Sequence, residues 1–259
     1  MRDGLVCLHT LLKPLLTRHS LSKNQDLFAY TSGRFIFNEE PRLRERYVKF
    51  NPAALFKEVE NVLGAEHGAP KGITKLAEGG FNRVLLLTMQ DGFEIIVKIP
   101  YPLAGPKYYA TASEAATLQY LFSLGIPVPR VFGYSPSDSN ELGVEYIIME
   151  KAPGVGLQSR WLEMSKRERH NLASSFVEIE KKLFDLPLRA HGSIYFKEDI
   201  PSQQQGDLYH LGAGKDTDVF CIGPSADYTF WHGRRAGLAL HRGPCRFASL
   251  FAHRHRLNL

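Results

Sequence analysis

Apolar residues recur at helical spacing from Leu55 through Val59 to Val62 or Leu63, which predicts an amphipathic helix with one inward stripe. Asn51 is a good N-cap for it, Pro52 suits its first position, and Gly64 can stop it. Folded structure is therefore expected to begin near Phe50. Over residues 73–97 the period shortens to that of strands. Residues 84–89 and 94–99 are β-rich runs joined by Gln90, Asp91 and Gly92, and Asp-Gly is a strong hairpin signal. A helix follows over 113–124, stopped by Gly125, and Pro127 and Pro129 lead into a strand near Val131. A further apolar strand spans 144–149, and Lys151-Ala-Pro-Gly154 breaks the chain after it. With a first strand near Ile73, this order builds a five-stranded antiparallel sheet with one helix packed on it. The fold class read from the pattern is α+β.

The second half opens on a helix. Ser165 and Glu168 form a capping box, and Leu172, Phe176, Ile179 and Leu183 repeat at helical spacing up to Pro187. Residues 192–196 read as a short strand. From Pro201 onward periodicity fades, and the chain has no internal repeats.

Composition adds limits rather than direction. With 259 residues, 44% of them hydrophobic and 23% charged, the chain can bury a sizeable core as one large domain or two lobes. No apolar run approaches the ~20 residues of a membrane-spanning helix. The net charge of +5 is local: the 32 residues after Asp227 hold six arginines and no acid, leaving 26 basic against 27 acidic groups before them. That distribution excludes nucleic acid as a partner of the chain as a whole. Cys7, Cys221 and Cys245 are few, far apart and odd in number, so neither a disulfide framework nor a zinc site is indicated. At the N-terminus, Leu5, Leu8, Leu11, Leu12, Leu15 and Leu16 alternate with Arg2, Lys13, Arg18 and His19. Basic, leucine-spaced stretches of this kind are typical of mitochondrial presequences. Asp3 and Pro14 speak for a plain N-terminal helix instead.

Four elements in series carry candidate chemistry. Gly79 and Gly80 lack Cβ atoms, so the backbone there can curl over a polyphosphate, and Asn82 can add a side-chain donor. A turn between strands is the plainer reading of this pair. Lys98 lies inside an otherwise apolar strand, on the face of Ile96 and opposite Val97, where it needs solvent or a counter-charge. An edge strand facing water would supply the former. Glu114, at the start of the predicted helix with Leu118 and Leu121 on the same stripe, would supply the latter. A glutamate there also suits a helix N-terminus. Finally, the strand ending at Met149 and Glu150 passes into Lys151, Ala152, Pro153 and Gly154. A strand leaving into such a linker would offer the Glu150 carbonyl and the Ala152 N–H to an adenine edge, with Met149 at the back of the pocket.

Seven segments carry a resemblance: Glu78-Gly-Gly-Phe-Asn-Arg-Val, Ile-Val-Lys98-Ile-Pro, Ser-Glu114-Ala-Ala-Thr-Leu, Ile-Pro-Val-Pro-Arg-Val, Met-Glu150-Lys-Ala-Pro-Gly, Gly192-Ser-Ile-Tyr-Phe and Ile222-Gly-Pro-Ser. Over residues 25–243 the chain resembles the aminoglycoside phosphotransferase and choline-kinase-like superfamily, and within it the fungal altered inheritance of mitochondria protein 9 group. The resemblance implies a protein-kinase-like bilobal fold, ATP with Mg2+, and transfer of the γ-phosphate to a hydroxyl of a small-molecule acceptor. It implies nucleotide binding by Lys98, Glu114 and the glycine turn, and it strengthens the mitochondrial reading over a cytoplasmic one.

The resemblance has a limit. The superfamily's catalytic loop reads His-x-Asp, then an asparagine and a second aspartate that hold magnesium, and no His-x-Asp occurs in this chain. Asp216 and Asp218 mimic a metal pair but precede Ile222-Gly-Pro-Ser, upstream of that loop's place; a polar surface loop is the plainer reading. After His241-Arg-Gly-Pro244 the text becomes acid-free and unlike the superfamily, as a shifted frame or retained intron would make it; a basic tail for an anionic surface and metal binding by His253 and His255 are the other readings. The expected organisation is a presequence or disordered stretch over 1–24, a small lobe with an N-terminal extension over 25–150, a partial, mainly helical large lobe over 151–244, and a divergent tail over 245–259. No catalytic or metal residue is assigned, the acceptor is not identified, and the chain is expected to be truncated and inactive. The alternative is a nucleotide-binding pseudokinase, or a mitochondrial module that recruits a protein partner through an exposed helix 165–188.

Overall fold

In the computed structural model, which describes residues 27–209 and 215–245, the caps form where the sequence places them. Asn51 Oδ1 accepts hydrogen bonds from the Ala53 and Ala54 N–H groups at 3.1 and 3.3 Å, opening helix α2 (Pro52–Leu63). Leu55 and Val59 on its stripe are fully buried. Five strands follow the predicted positions within a few residues: β1 (Pro70–Glu78), β2 (Asn82–Met89), β3 (Glu94–Pro100), β4 (Val131–Ser135) and β5 (Tyr146–Glu150). They form one antiparallel sheet in the order β1-β2-β3-β5-β4. At the β2–β3 turn, Asp91 Oδ1 accepts from the Phe93 N–H at 2.8 Å, and Gly92 takes the positive φ of 91° that favours glycine.

The sheet has two working faces. Leu85, Leu87, Met89, Ile95, Val97 and Ile99 point to one and are fully buried in a core shared with α2. The opposite face, bearing Ile96 and Lys98, receives helix α3 (Tyr109–Ser123) through Ala115 and Leu118, which pack with Ile147 and Met149. Period-2 alternation therefore put Lys98 on the correct side. Its strand lies between β2 and β5, so the edge-strand reading is excluded.

Two boundaries differ from expectation. Structure begins well before Phe50: Leu27 and Val48 are buried, and a short helix α1 (Glu39–Glu45) lies between them. The cause is Arg83, which is fully buried and donates to the carbonyls of Leu27 at 2.8 Å, Phe28 at 3.0 Å and Arg46 at 3.2 Å. Helix α3 also starts earlier, at Tyr109, so Glu114 sits in its second turn. Its charge therefore gains little from the helix N-terminus, whose effect fades within the first turn.

The second half contains helices α4 (Leu157–Arg160) and α5 (Lys166–Phe184), then strands β6 (Ser193–Phe196) and β7 (Phe220–Gly223), paired antiparallel with Ile194 opposite Ile222. β7 lies where periodicity fades, and all four of its residues are buried. Helix α3 is shared by both halves. Ala112 packs with Tyr195 and Cys221, and Ala116 and Tyr120 pack with Leu208, Phe220 and Ile222. The capping box on α5 forms: the Glu168 N–H donates to Ser165 Oγ at 3.3 Å, and the Ser165 N–H donates to Glu168 Oε2 at 2.7 Å. Yet α5 buries none of its residues, leaving Phe176, Val177, Leu183 and Phe184 exposed. No helix among the described residues is long and apolar enough to cross a membrane.

Candidate functional site

The centre of the site is an ion pair between sheet and helix. Lys98 Nζ, from β3, donates to both carboxylate oxygens of Glu114 on α3, at 2.5 and 2.6 Å. The two side chains are 20% and 38% exposed, so the ammonium is held by its partner yet open to a further anion. The floor beneath is apolar, since Lys98 pairs in register with Ile147 and Ile96 with Met149.

Beside this pair lies the β1–β2 turn. The Gly79 N–H donates to the Asn82 carbonyl at 2.8 Å, which leaves Gly80 and Phe81 at the tip. The Gly79 N–H thus closes the turn instead of facing a ligand. Gly80 keeps an ordinary φ, and no atom lies within 4 Å of where its Cβ would be. The turn is therefore open at Gly80. Asn82 is half-buried at the start of β2, opposite Pro100.

The remaining candidates lie at the other end of β3. Met149 is buried with Ala115 and Ile147 between sheet and helix. Glu150, opposite Ile95, accepts the Arg130 N–H on Oε2 at 3.2 Å, and half-buried Ala152 lies in the segment leaving the sheet. Glu150 is three residues along β5 from the Lys98 level, or roughly 10 Å at the usual strand rise. The structure therefore joins Lys98 to Glu114, sets Gly79, Gly80 and Asn82 beside them, and places Met149 and Glu150 further along β5, on opposite faces of the sheet, with Ala152 in the segment that follows.

What positions α3 has no local signature in the amino-acid text. Tyr108, just before it, has a φ of 67°, a strained value for a side chain of its size. It is held there by Glu145, which accepts from the Tyr108 N–H at 3.2 Å and from Thr111 Oγ1 at 2.7 Å. Burial pushes the Glu145 pKa up, against the opposing effect of those two hydrogen bonds. From the same residue the Tyr108 hydroxyl donates to the Asp199 carbonyl at 2.6 Å, while Tyr134 donates to Asp199 Oδ2 at 2.9 Å. Burial likewise raises the Asp199 pKa. The capping group comes from 37 residues away, beyond the reach of any local N-cap pattern.

Among the described residues no three His, Cys, Asp or Glu side chains group as a metal site would require. Asp216 and Asp218 fall in a short 3-10 turn, Lys215–Asp218, and Asp218 is exposed. His253 and His255 lie outside the described residues, as does the N-terminal presequence candidate.

Comparison with known proteins adds a set of fungal relatives. A subtelomeric hrmA-associated cluster protein of Aspergillus fumigatus is 43% identical over 179 residues, covering 69% of this chain and 34% of that protein. Altered inheritance of mitochondria protein 9, mitochondrial, of Candida tropicalis is 27% identical, covering 84% of this chain and 42% of the relative. Its counterpart in Candida albicans is 26% identical over 80% of this chain and 39% of its own length. These similarities support the altered inheritance of mitochondria protein 9 group, and they support mitochondrial localisation of this chain. The chain spans about a third to two-fifths of the length of these relatives. No model of a known protein family matches it.

Proposed function

We propose that this chain forms the nucleotide-holding part of an ATP-dependent small-molecule phosphotransferase, built as a protein-kinase-like pair of lobes. The observation that carries the reading is the Lys98–Glu114 pair, joined from a central strand to the helix packed on it. A lysine held this way is oriented toward the α- and β-phosphates of ATP. In the same reading Gly80 and Asn82 border the phosphates, while the Glu150 carbonyl and the Ala152 N–H meet the adenine edge over Met149. The acceptor would be a hydroxyl of a small molecule.

These 259 residues hold neither a His-x-Asp sequence nor, among those described, a magnesium ligand set. Loss of a general base alone typically costs ~10²–10⁴ in rate. This chain by itself is therefore proposed to hold ATP without transferring its phosphate, as a pseudokinase does.

A thermal-shift titration with Mg·ATP tests the reading. Ligand at 100 times its Kd stabilises by about 2.7 kcal/mol, so the melting temperature of the wild type should rise and that of Lys98→Ala should not. No rise in the wild type, or an equal rise in both, sinks the nucleotide site. Hydrolysis of ATP above the Lys98→Ala background would refute the inactivity of this chain. The exposed apolar residues of α5 favour a second reading, a partner-binding module. Titration with ATP would then leave the protein unchanged.

A further inference from the structure

Residues 225–242 leave the β6–β7 sheet and return to it as a loop closed at its neck. The Ser225 N–H donates to the Arg242 carbonyl at 2.6 Å, where the two ends meet. The neck is fastened to the sheet. Tyr195, fully buried on β6, donates its hydroxyl to the Pro224 carbonyl at 2.7 Å, and the Ala226 N–H donates to Ser193 Oγ at 2.9 Å. Just beyond the loop, Cys245 and His191 exchange backbone hydrogen bonds of 2.9 and 2.7 Å. The loop is also braced from within. Trp231 Nε1 donates to the Ser225 carbonyl at 2.7 Å, and the Arg242 guanidinium lies over the Trp231 ring at 4.0 Å. The same guanidinium donates to the carbonyls of Phe230, Arg235 and Leu238. A closed neck and internal packing make this segment a compact loop of the Ω kind.

Two of its aromatic contacts reach beyond the loop, one to the β1–β2 turn and one to the start of α3. Tyr228 meets Phe81, at the tip of the β1–β2 turn, with ring centroids 5.2 Å apart. Trp231 stacks on Tyr109, the first residue of α3, also at 5.2 Å. Phe81 remains 46% exposed, so this contact is a light one at the end of a turn. The loop carries Arg234, Arg235 and Arg242 against one acid, Asp227, so a polyanion entering beneath it meets a favourable potential.

The geometry points to a flap: residues 225–242 close the nucleotide site by bridging the glycine turn to the start of α3 through Tyr228 and Trp231. The inference rests on the nucleotide reading and adds a gate to it. ATP enters when the Phe81–Tyr228 contact opens, and the Trp231–Tyr109 stack stays as the hinge side.

The test uses the full 259-residue chain with magnesium and an ATP carrying a fluorescent methylanthraniloyl group, mixed in a stopped-flow instrument. Tyr228→Ala should raise the association and dissociation rate constants together by about three- to tenfold, the range set by one lost aromatic contact, and leave Kd within about threefold. Phe81→Ala removes the same contact from the other side and should reproduce the effect, which guards against misfolding of either variant. Wild-type binding with both rates within twofold in both variants overturns the flap alone. A wild type that binds no nucleotide overturns the nucleotide reading, and the flap with it.

Discussion

Glu78 is 1% exposed between Lys75 at 3.1 Å and Arg83 at 3.4 Å, and its Oε2 also accepts from the Thr31 N–H at 2.8 Å and the Ser32 hydroxyl at 2.9 Å. Burial pushes its pKa up, but the Thr31 N–H, the Lys75 charge and the Ser32 hydroxyl outweigh that and hold it below its ordinary 4.5. A carboxyl with a depressed folded pKa contributes stability above its unfolded value and loses it as pH falls through the folded one. Glu145 and Asp199 run the other way. Their raised pKa values give a contribution that is complete below the ordinary carboxylate range and lost as pH rises through the folded values. Melting temperatures across the acid range should therefore fall below pH 4.5 in the wild type, and less steeply in Glu78→Gln. Glu145→Gln should flatten the decline on the other side of that value. Parallel curves for all three proteins would show that these carboxyls are not what the folded state titrates.

Helices α3 and α5 show how differently two well-patterned segments can be stabilised. α3 is buried on two sides, by the five-stranded sheet and by the β6–β7 pair, so its position follows from packing. α5 has its cap, its propensity and little else, because none of its residues is buried. Isolated helices shorter than ~12–15 residues are marginal in water, and a helix of 19 residues gains only modestly on that limit. Amide exchange should be faster along α5 than along α2 or α3. Ser165→Ala removes a cap worth about 1 kcal/mol, which should speed exchange in α5 by about fivefold and leave α3 unchanged. Equal protection of α5 and α3 would contradict a bare helix. The element-level reading of the sequence succeeded for both helices, since spacing and caps are local. It misplaced the start of α3 because the group capping it, Glu145, arrives from another part of the chain.

Across the whole molecule, Arg83 ties the N-terminal segment to the sheet. Its guanidinium gathers carbonyls from Leu27, Phe28 and Arg46 and pairs with Glu78, all in the interior. Breaking a buried pair from one side typically costs ~3–5 kcal/mol. Arg83→Met should lower the urea midpoint accordingly and open residues 27–50 to protease first; a variant as stable as wild type would mean the segment is held by its apolar contacts alone. The amino-acid sequence by itself determined the five strands of the main sheet, the capped starts of α2 and α5, and the face on which Lys98 lies. Each depends on periodicity and short-range hydrogen bonds, which a linear text records. Tertiary structure alone decided that Lys98 sits on a central strand, and that Glu114 meets it from the second turn of α3. The same holds for the burial of Arg83 and for the loop spanning 225–242 that touches Phe81 and Tyr109. These contacts join residues from 16 to more than a hundred positions apart, and only chain folding, which leaves no period in the sequence, brings them within reach.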